Sequence, residues 1–327
     1  MTIKTELNRR SFLGTVAAGA AGAAVTLAGG PAFAQGTFPS RPIRWVCYQA
    51  AGGSMDLTMR ACVPLLEKYG IKTQLDYVTG GSGNPARTQV FTNPDGGYAM
   101  VMEAAPAAVL GEVVAGAAYK ALDFNPIMGW SVEGWQLCTA KDGPIRTVAD
   151  LVKACKERTV TAASIGRGST SHLQLLVMQE ALGVNFNIVH FSGSAQAYPQ
   201  AIGGNVDFAI GGPGSGSRAR DRLHIFAVVR EEGEAALPDV QTMAAQGFPC
   251  PAINQTWYTA AGPGVPEDRL KVLVDAFSKA FDDPDFAVEQ EKAGFVALQK
   301  VMPDELQAIE QQAFELANKY KEQLAAG

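Results

Sequence analysis

The sequence predicts an α/β protein whose two lobes enclose a hinged cleft. Short β-rich runs alternate with helical patterns from Pro42 onward, which is typical of α/β folds. Each half of the chain also carries one glycine-rich strand-to-helix turn. Residues 140–144 (AKDGP) and 247–254 (GFPCPAIN) have the composition of loops where the chain leaves one lobe and returns to it. We therefore expect a first lobe from residues 35–140 plus 255–327, and a second lobe from residues 141–254.

The elements of the first lobe follow from β-branched and aromatic runs and from helix-start signals. Residues 266–281 place Leu270, Phe277 and Phe281 on one face behind Pro266, which predicts an amphipathic helix. The predicted strands of this lobe are residues 43–48, 73–78, 98–102, 135–139 and 256–260. The predicted helices are residues 56–69, 84–92, 107–115, 266–281, 284–293 and 303–325.

The second lobe has the same alternation of strands and helices. Gly183 stands where a helix beginning near Ser171 should end, because glycine readily adopts the left-handed conformation of a helix terminus. The predicted strands are residues 160–163, 187–190, 206–210 and 225–229. The predicted helices are residues 148–155, 171–182 and 194–202.

The amino-terminal segment predicts export from the cytoplasm. Arg9 and Arg10 form a twin-arginine pattern before a weakly apolar stretch of Ala and Gly, and residues 32–34 (AFA) present the small residues of a signal peptidase site. We expect a Tat signal peptide at residues 1–34, cleavage after Ala34, and a mature protein in the periplasm. An uncleaved membrane anchor is the alternative, and Pro31 together with the glycines of this segment argues against it.

Charge and cysteine content exclude several classes of protein. The net charge is −5, and Lys4, Arg9 and Arg10 against Glu6 give the leader +2, so the mature chain carries −7. An acidic chain without clustered Lys and Arg argues against a nucleic-acid or anionic-membrane partner. None of the five cysteines forms a CxxC pair, and only three histidines are present, so we expect neither a zinc site nor a cofactor.

The two glycine-rich turns predict anion binding. The first is AAGGSMD at residues 50–56, and the second is SIGRGSTSH at residues 164–172. Glycine allows close approach of the backbone, and the free N–H groups of the following helix can then bind a carboxylate or phosphate without a cationic side chain. A plain strand-to-helix connection with a helix cap is the alternative for either turn alone. A pair of such turns, one in each lobe, favours a two-sided anion clamp.

Several motifs together resemble one family of receptors. FPSRPIRWV, NPDGGYAM, GSTSH, FSGSAQA and GGNVD occur in the order found in the TctC/Bug family, the periplasmic solute receptors of tripartite tricarboxylate transporters. This resemblance runs through the whole mature chain. It implies a type II periplasmic-binding-protein fold, a small organic carboxylate as solute, a membrane transporter as partner, and a monomer without cofactors.

The resemblance also implies which residues contact the solute. In the first lobe they are Tyr48, Ala51, Gly52, Gly53 and Ser54, and in the second they are Ser164, Gly168, Ser169, Thr170, His172, Ser192 and Asp207. Glu103 departs from the family pattern, because it ends a strand that should face the cleft. Glu103 could meet a cationic or hydrogen-bond-donating group of the solute, or it could point to solvent.

Two other functions remain open from the sequence. A hydrolase could use Ser169, His172 and Asp207, but Ser169 stands where a helix cap is expected and nothing orients a general base toward it. A periplasmic binding protein could also signal to a membrane sensor instead of serving transport. An interaction with a transporter subunit that requires solute would distinguish transport from sensing.

Overall fold

Eleven strands, most of them short and apolar, form the framework of the described part of the chain. The computed structural model describes residues 38–49, 51–52, 54–292 and 297–326. The predicted leader and Gly53 therefore lie outside the described residues. The strands are β1 (Ile43–Cys47), β2 (Thr73–Tyr77), β3 (Ala99–Ala105), β4 (Asn125–Glu133), β5 (Gln136–Ala140), β6 (Thr161–Ser164), β7 (Asn187–His190), β8 (Phe208–Gly211), β9 (Leu223–Val228), β10 (Gln255–Ala261) and β11 (Leu298–Val301).

Helices connect these strands, and several begin at Pro, Ser or Thr. They are α1 (Ser54–Lys68), α2 (Asn84–Thr92), α3 (Ala107–Val113), α4 (Val148–Glu157), α5 (Thr170–Leu182), α6 (Ser194–Ile202), α7 (Pro213–Arg218), α8 (Glu267–Phe281), α9 (Pro284–Lys292), α10 (Pro303–Lys319) and α11 (Lys321–Ala326). None of these helices is both long enough and apolar enough to cross a bilayer.

The strands form two separate sheets, one in each lobe. The first sheet has the order β11-β4-β10-β3-β1-β2, and β1 is parallel to both β2 and β3. The second sheet has the order β7-β6-β8-β5-β9, and β6 is parallel to both β7 and β8. The two-lobed α/β architecture predicted from the sequence is therefore present.

Helices cover the sheet of each lobe, and a further apolar cluster joins residues of α5 in the second lobe to residues of α3 and α10 in the first. In the first lobe Trp45 meets Trp130 and Phe277 edge to face, at centroid distances of 6.2 and 5.5 Å. In the second lobe Phe208 lies between Phe186 and Phe226 at 5.2 and 6.3 Å. Aromatic contacts of this geometry stabilise a core beyond the area they bury.

The chain crosses between the lobes earlier than predicted. β4 ends at Glu133 in the first sheet and β5 begins at Gln136 in the second, so the strand predicted at residues 135–139 belongs to the second lobe. The AKDGP loop is instead a turn within the second lobe, where the Gly143 N–H donates to the Ala140 carbonyl at 2.9 Å. The chain returns to the first sheet with β10, which begins at Gln255.

Three elements were not predicted, because their sequences carry weak signals for a strand or a helix. β4 contains Pro126 and Gly129, which weaken the strand signal. β11 has only four residues, two of them polar. α7 reads PGSGSR, a composition typical of a loop.

Candidate functional site

The carboxyl ends of the parallel strands carry the turns that face the space between the lobes. A cavity of about 710 Å³ lies there. The first lobe lines it with Gly81, Ser82, Asn84, Ala107, Leu110, Gly111, Val114 and Ala115. The second lobe lines it with Ile165, Gly166, Arg167, Gly168, Ser169, Thr170 and Ser192. Carboxyl ends of parallel strands are a common location for ligands in α/β folds, because the helices that follow begin there.

The second-lobe turn presents backbone N–H groups to the cavity. Ser169 is the N-cap of α5, and its Oγ accepts a hydrogen bond from the His172 N–H at 3.3 Å. The same Oγ donates to the Gly166 carbonyl at 2.7 Å, so this hydroxyl holds the turn together. The backbone N–H groups of Thr170 and Ser171 have no acceptor among the described residues. These donors, with the positive end of the helix dipole behind them, suit an anion.

Ser164 and His190 stabilise the second-lobe turn through hydrogen bonds at Ser164 Oγ. Ser164 is fully buried, and its Oγ lies 2.6 Å from His190 Nδ1 and 3.3 Å from the Gly166 carbonyl. Ser164 therefore shapes the turn and does not line the cavity. The sequence analysis does not identify His190, whose only signal is its position at the carboxyl end of β7.

His172 fixes the turn through its unprotonated nitrogen. The Gly168 N–H donates to His172 Nδ1 at 3.2 Å, and the His172 and His190 rings lie 4.4 Å apart. Burial, and then the nearby His190 and Arg167, lower the pKa of His172 from 6.5 to about 4. His172 is thus neutral at neutral pH, as its acceptor role at Nδ1 requires.

We predict that the free energy of unfolding falls as the pH drops from 6.5 to 4, because the unfolded chain gains a proton at His172 before the folded chain does. The shift corresponds to about 3 kcal/mol at most. His172→Asn keeps an acceptor but removes this titration. The free energy of unfolding of this variant should therefore fall less than that of the wild type between pH 6.5 and 4. Urea unfolding at several pH values measures the difference, with His224→Asn as the control for losing an imidazole. Equal pH dependence in His172→Asn and the wild type would contradict this assignment.

The two lobes touch at Gly168. A Cβ built at this glycine would lie 3.1 Å from Val114 Cγ1, just beyond α3 in the first lobe. Gly168 also has a φ of +61°, a conformation that favours glycine. A side chain here would strain the turn, and Val114 would have to shift by a few tenths of an ångström to accommodate it.

The predicted first-lobe turn is folded around Asp56. The Gly52 N–H donates to Asp56 Oδ2 at 2.7 Å, and Arg60 pairs with the same carboxylate at 2.8 Å. Hydrogen bonds from Gly52, Tyr77 and Arg60 lower the pKa of Asp56 against the opposing effect of burial. Ala51 and Gly52 are exposed and do not line the 710 Å³ cavity, and α1 begins at Ser54. Their contact with a solute stays a prediction.

A second glycine-rich turn in the first lobe was missed. Residues 80–84 (GGSGN) follow β2 and end at Asn84, the first residue of α2, and three of them line the cavity. Gly83 has a φ of +85°, and a Cβ there would lie 2.7 Å from the Tyr48 ring. Tyr48 therefore packs beneath this turn and does not line the cavity. Three glycines before Asn84-Pro85 were the available signal.

A buried ion pair anchors the missed turn. Arg87 Nε donates to Glu103 Oε1 and Oε2 at 2.7 and 3.0 Å, and both side chains are buried. Arg87 Nη1 donates to the Ser82 carbonyl at 2.8 Å, which ties the cavity wall to β3. The Tyr48 ring lies 4.6 Å from the guanidinium. Glu103 thus neither faces the cleft nor points to solvent, and the prediction that it contacts the solute is corrected.

We predict that Glu103→Gln destabilises the protein by about 3 to 5 kcal/mol, because Arg87 would stay buried without its carboxylate. Denaturant unfolding measures the loss. Asp95→Asn, which removes the carboxylate of the exposed Arg41–Asp95 pair, is the matched control and should cost less than about 1 kcal/mol. Similar losses of unfolding free energy in the two variants would show that the buried pair stabilises the protein no more than the exposed pair does.

Asp207 lies at the opposite end of the second sheet. It immediately precedes β8, and its Oδ2 accepts from the Thr161 N–H at 2.7 Å at the start of β6. Arg158 pairs with the same carboxylate at 2.6 Å. Because β6 and β8 are parallel, this is the edge away from the turn that follows Ser164. The prediction that Asp207 lines the cleft, or joins Ser169 and His172 in a catalytic set, is therefore wrong.

Ser192 does lie with the second-lobe turn. It follows β7, is exposed, and lines the cavity with Gly168, Ser169 and Thr170. Its N–H donates to the Gln196 side chain at 3.2 Å, which fixes the start of α6. No group of three or more His, Cys, Asp or Glu residues in the described ranges is placed to hold a metal ion.

Comparison with known proteins agrees with this architecture. A UPF0065 protein from Cupriavidus necator is 29% identical over 86% of this chain and 87% of its own length. A TctC solute binding protein from Polaromonas has a TM-score of 0.74 at 23% identity, covering 86% of this chain and 100% of that chain. The periplasmic binding protein BugD has a TM-score of 0.66 at 24% identity, and the match covers 87% of this chain and 98% of BugD.

Two further neighbours were solved with a small acid bound. MatC from Rhodopseudomonas palustris, with malate, has a TM-score of 0.66 at 21% identity and covers 88% of this chain and 100% of that chain. An R. palustris protein with adipate has a TM-score of 0.68 at 21% identity and covers 88% and 98%. At these identities the likeness concerns the fold.

The two-lobed fold is shared with these solved solute-binding proteins. The family model described as the tripartite tricarboxylate transporter family receptor, TctC, matches residues 77–322. The chain belongs to this family, and the resemblance seen in the sequence is confirmed.

Proposed function

We propose that this receptor captures a small carboxylate-bearing solute between its lobes in the periplasm and delivers it to a tripartite tricarboxylate-type membrane transporter. The observation that carries the proposal is the cavity between the lobes, with the first-turn N–H groups of α5 on one side. Malate and adipate in two proteins of the same fold support a carboxylate as the solute class.

Each lobe supplies part of the recognition. Thr170 and Ser171 offer N–H groups from the second lobe, and Arg167 adds a positive charge at the cavity. In the first lobe Asn84 Oδ1 accepts from Tyr119 Oη at 2.9 Å, which leaves the Nδ2 group of this cavity-lining residue as a donor. A solute that contacts both lobes stabilises the closed arrangement, because only that arrangement offers both sets of donors.

We predict that carboxylates bind and that Gly168→Ala weakens the binding at least about tenfold, because a methyl group at residue 168 would press on Val114 and hold the lobes apart. Titration calorimetry measures the affinity. Thermal unfolding gives a second readout, since a solute at 100 times its Kd adds about 2.7 kcal/mol. If no mono-, di- or tricarboxylate binds, the proposed function is contradicted.

Gly204→Ala is the matched control for backbone strain. Gly204 has a φ of +70°, close to that of Gly168, but a Cβ there would meet nothing within 4 Å. Both variants should lose about 1 kcal/mol of stability from the left-handed backbone, and only Gly168→Ala should lose affinity. Equal affinities in the two variants would refute the role of the Gly168–Val114 contact.

We also propose export through the Tat pathway with cleavage after Ala34, on the evidence of the paired arginines before the apolar segment. Arg9→Lys combined with Arg10→Lys should leave the precursor in the cytoplasm, because the pathway reads the arginine pair and not merely its charge. Cell fractionation with an antibody measures the distribution. Normal processing of the double variant would contradict this route.

A further inference from the structure

Charged side chains are scarce along the described lining of the cavity between the lobes. Among the described residues that line it, only Arg167 carries a charge, and no acid faces the space. The Arg87–Glu103 ion pair lies behind this wall, and its two opposite charges neutralise each other. One end of a solute can therefore meet a cation and helix N–H groups, and the described residues of the cavity wall offer no second cationic side chain.

The first-lobe wall opposite is largely apolar. α3 and the residue after it contribute Ala107, Leu110 and Val114, and Ile165 of the second lobe also lines the cavity. A Cβ at Gly111 would collide with Asn84 and Tyr119, so α3 lies directly against the turn at residues 80–84. Among the described first-lobe residues that line the cavity, the polar side chains are those of Ser82 and Asn84.

A second carboxylate would be poorly placed in such a cavity. Facing α3, it would lose water without gaining a charged partner, and burying an unpaired charge is unfavourable. An apolar chain or ring in the same place would instead gain from contact with the α3 side chains. The volume of about 710 Å³ leaves room for such a body beyond the carboxylate.

We infer that the cleft selects monocarboxylates with an apolar body over dicarboxylates and tricarboxylates of similar size. This inference rests on the proposed function and narrows its solute class. It distinguishes this receptor from the two neighbours of the same fold that hold malate and adipate.

Hexanoate and adipate form a matched pair of probes, because they have the same number of carbon atoms and differ in the second carboxylate. 4-Methylbenzoate and terephthalate form an aromatic pair of the same kind. Titration calorimetry on the purified protein should give the monocarboxylate at least about tenfold tighter binding in one pair or both. Equal or tighter binding of the dicarboxylate in both pairs overturns the inference, as does binding of citrate alone, and either result leaves the proposed function standing. Absence of binding by every carboxylate overturns both.

Val114→Thr tests the apolar wall directly, since it keeps the side-chain shape and replaces a methyl group with a hydroxyl. The preference for hexanoate over adipate should fall at least about fivefold. Val272→Thr, on an exposed position of α8, is the matched control and should leave the preference unchanged. An unchanged preference in Val114→Thr would contradict the selection of the solute by the apolar wall at Val114.

Discussion

The direction of the parallel strands constrains everything at the cleft. In each lobe a set of parallel strands ends at the same sheet edge, and the helices that follow must begin there. Helix beginnings carry unpaired N–H groups, so this edge provides donors whether or not cationic side chains are present. An acidic chain can therefore offer an anion site, because the donors belong to the backbone and the net charge of −5 lies elsewhere.

The lobes stabilise their cleft-facing turns by different chemistry. In the first lobe the buried Arg87–Glu103 pair holds the Ser82 carbonyl, so the wall depends on two opposite charges that are both removed from water. In the second lobe the turn rests on neutral groups, namely Ser164 with His190 and the Gly168 N–H with His172. The first arrangement depends on keeping both charges, and the second depends on keeping an imidazole uncharged.

Much of this architecture could be predicted from the sequence, and the failures have physical causes. The turn at GRGSTSH was recognisable because Ser169 caps a helix and the glycines permit its backbone, which are both local effects. The Arg87–Glu103 pair could not be recognised from the sequence, because it joins a helix to a strand 16 residues away and nothing local specifies that contact. Asp207 was wrongly predicted to lie at the cleft. Which end of the sheet a residue occupies depends on the direction of its strand, and composition does not give that direction.

The place of β10 has a consequence for the growing polypeptide. This strand pairs with β3 on one side and β4 on the other, at the centre of the first sheet, yet it is made only after the entire second lobe. A nascent chain that ends before Gln255 must hold two strand edges open, and open edges invite pairing with other chains. The second lobe can complete its own sheet in the meantime, whereas the first acquires its central strand only late in synthesis. Translation order therefore makes the sheet that begins first the one that is completed last.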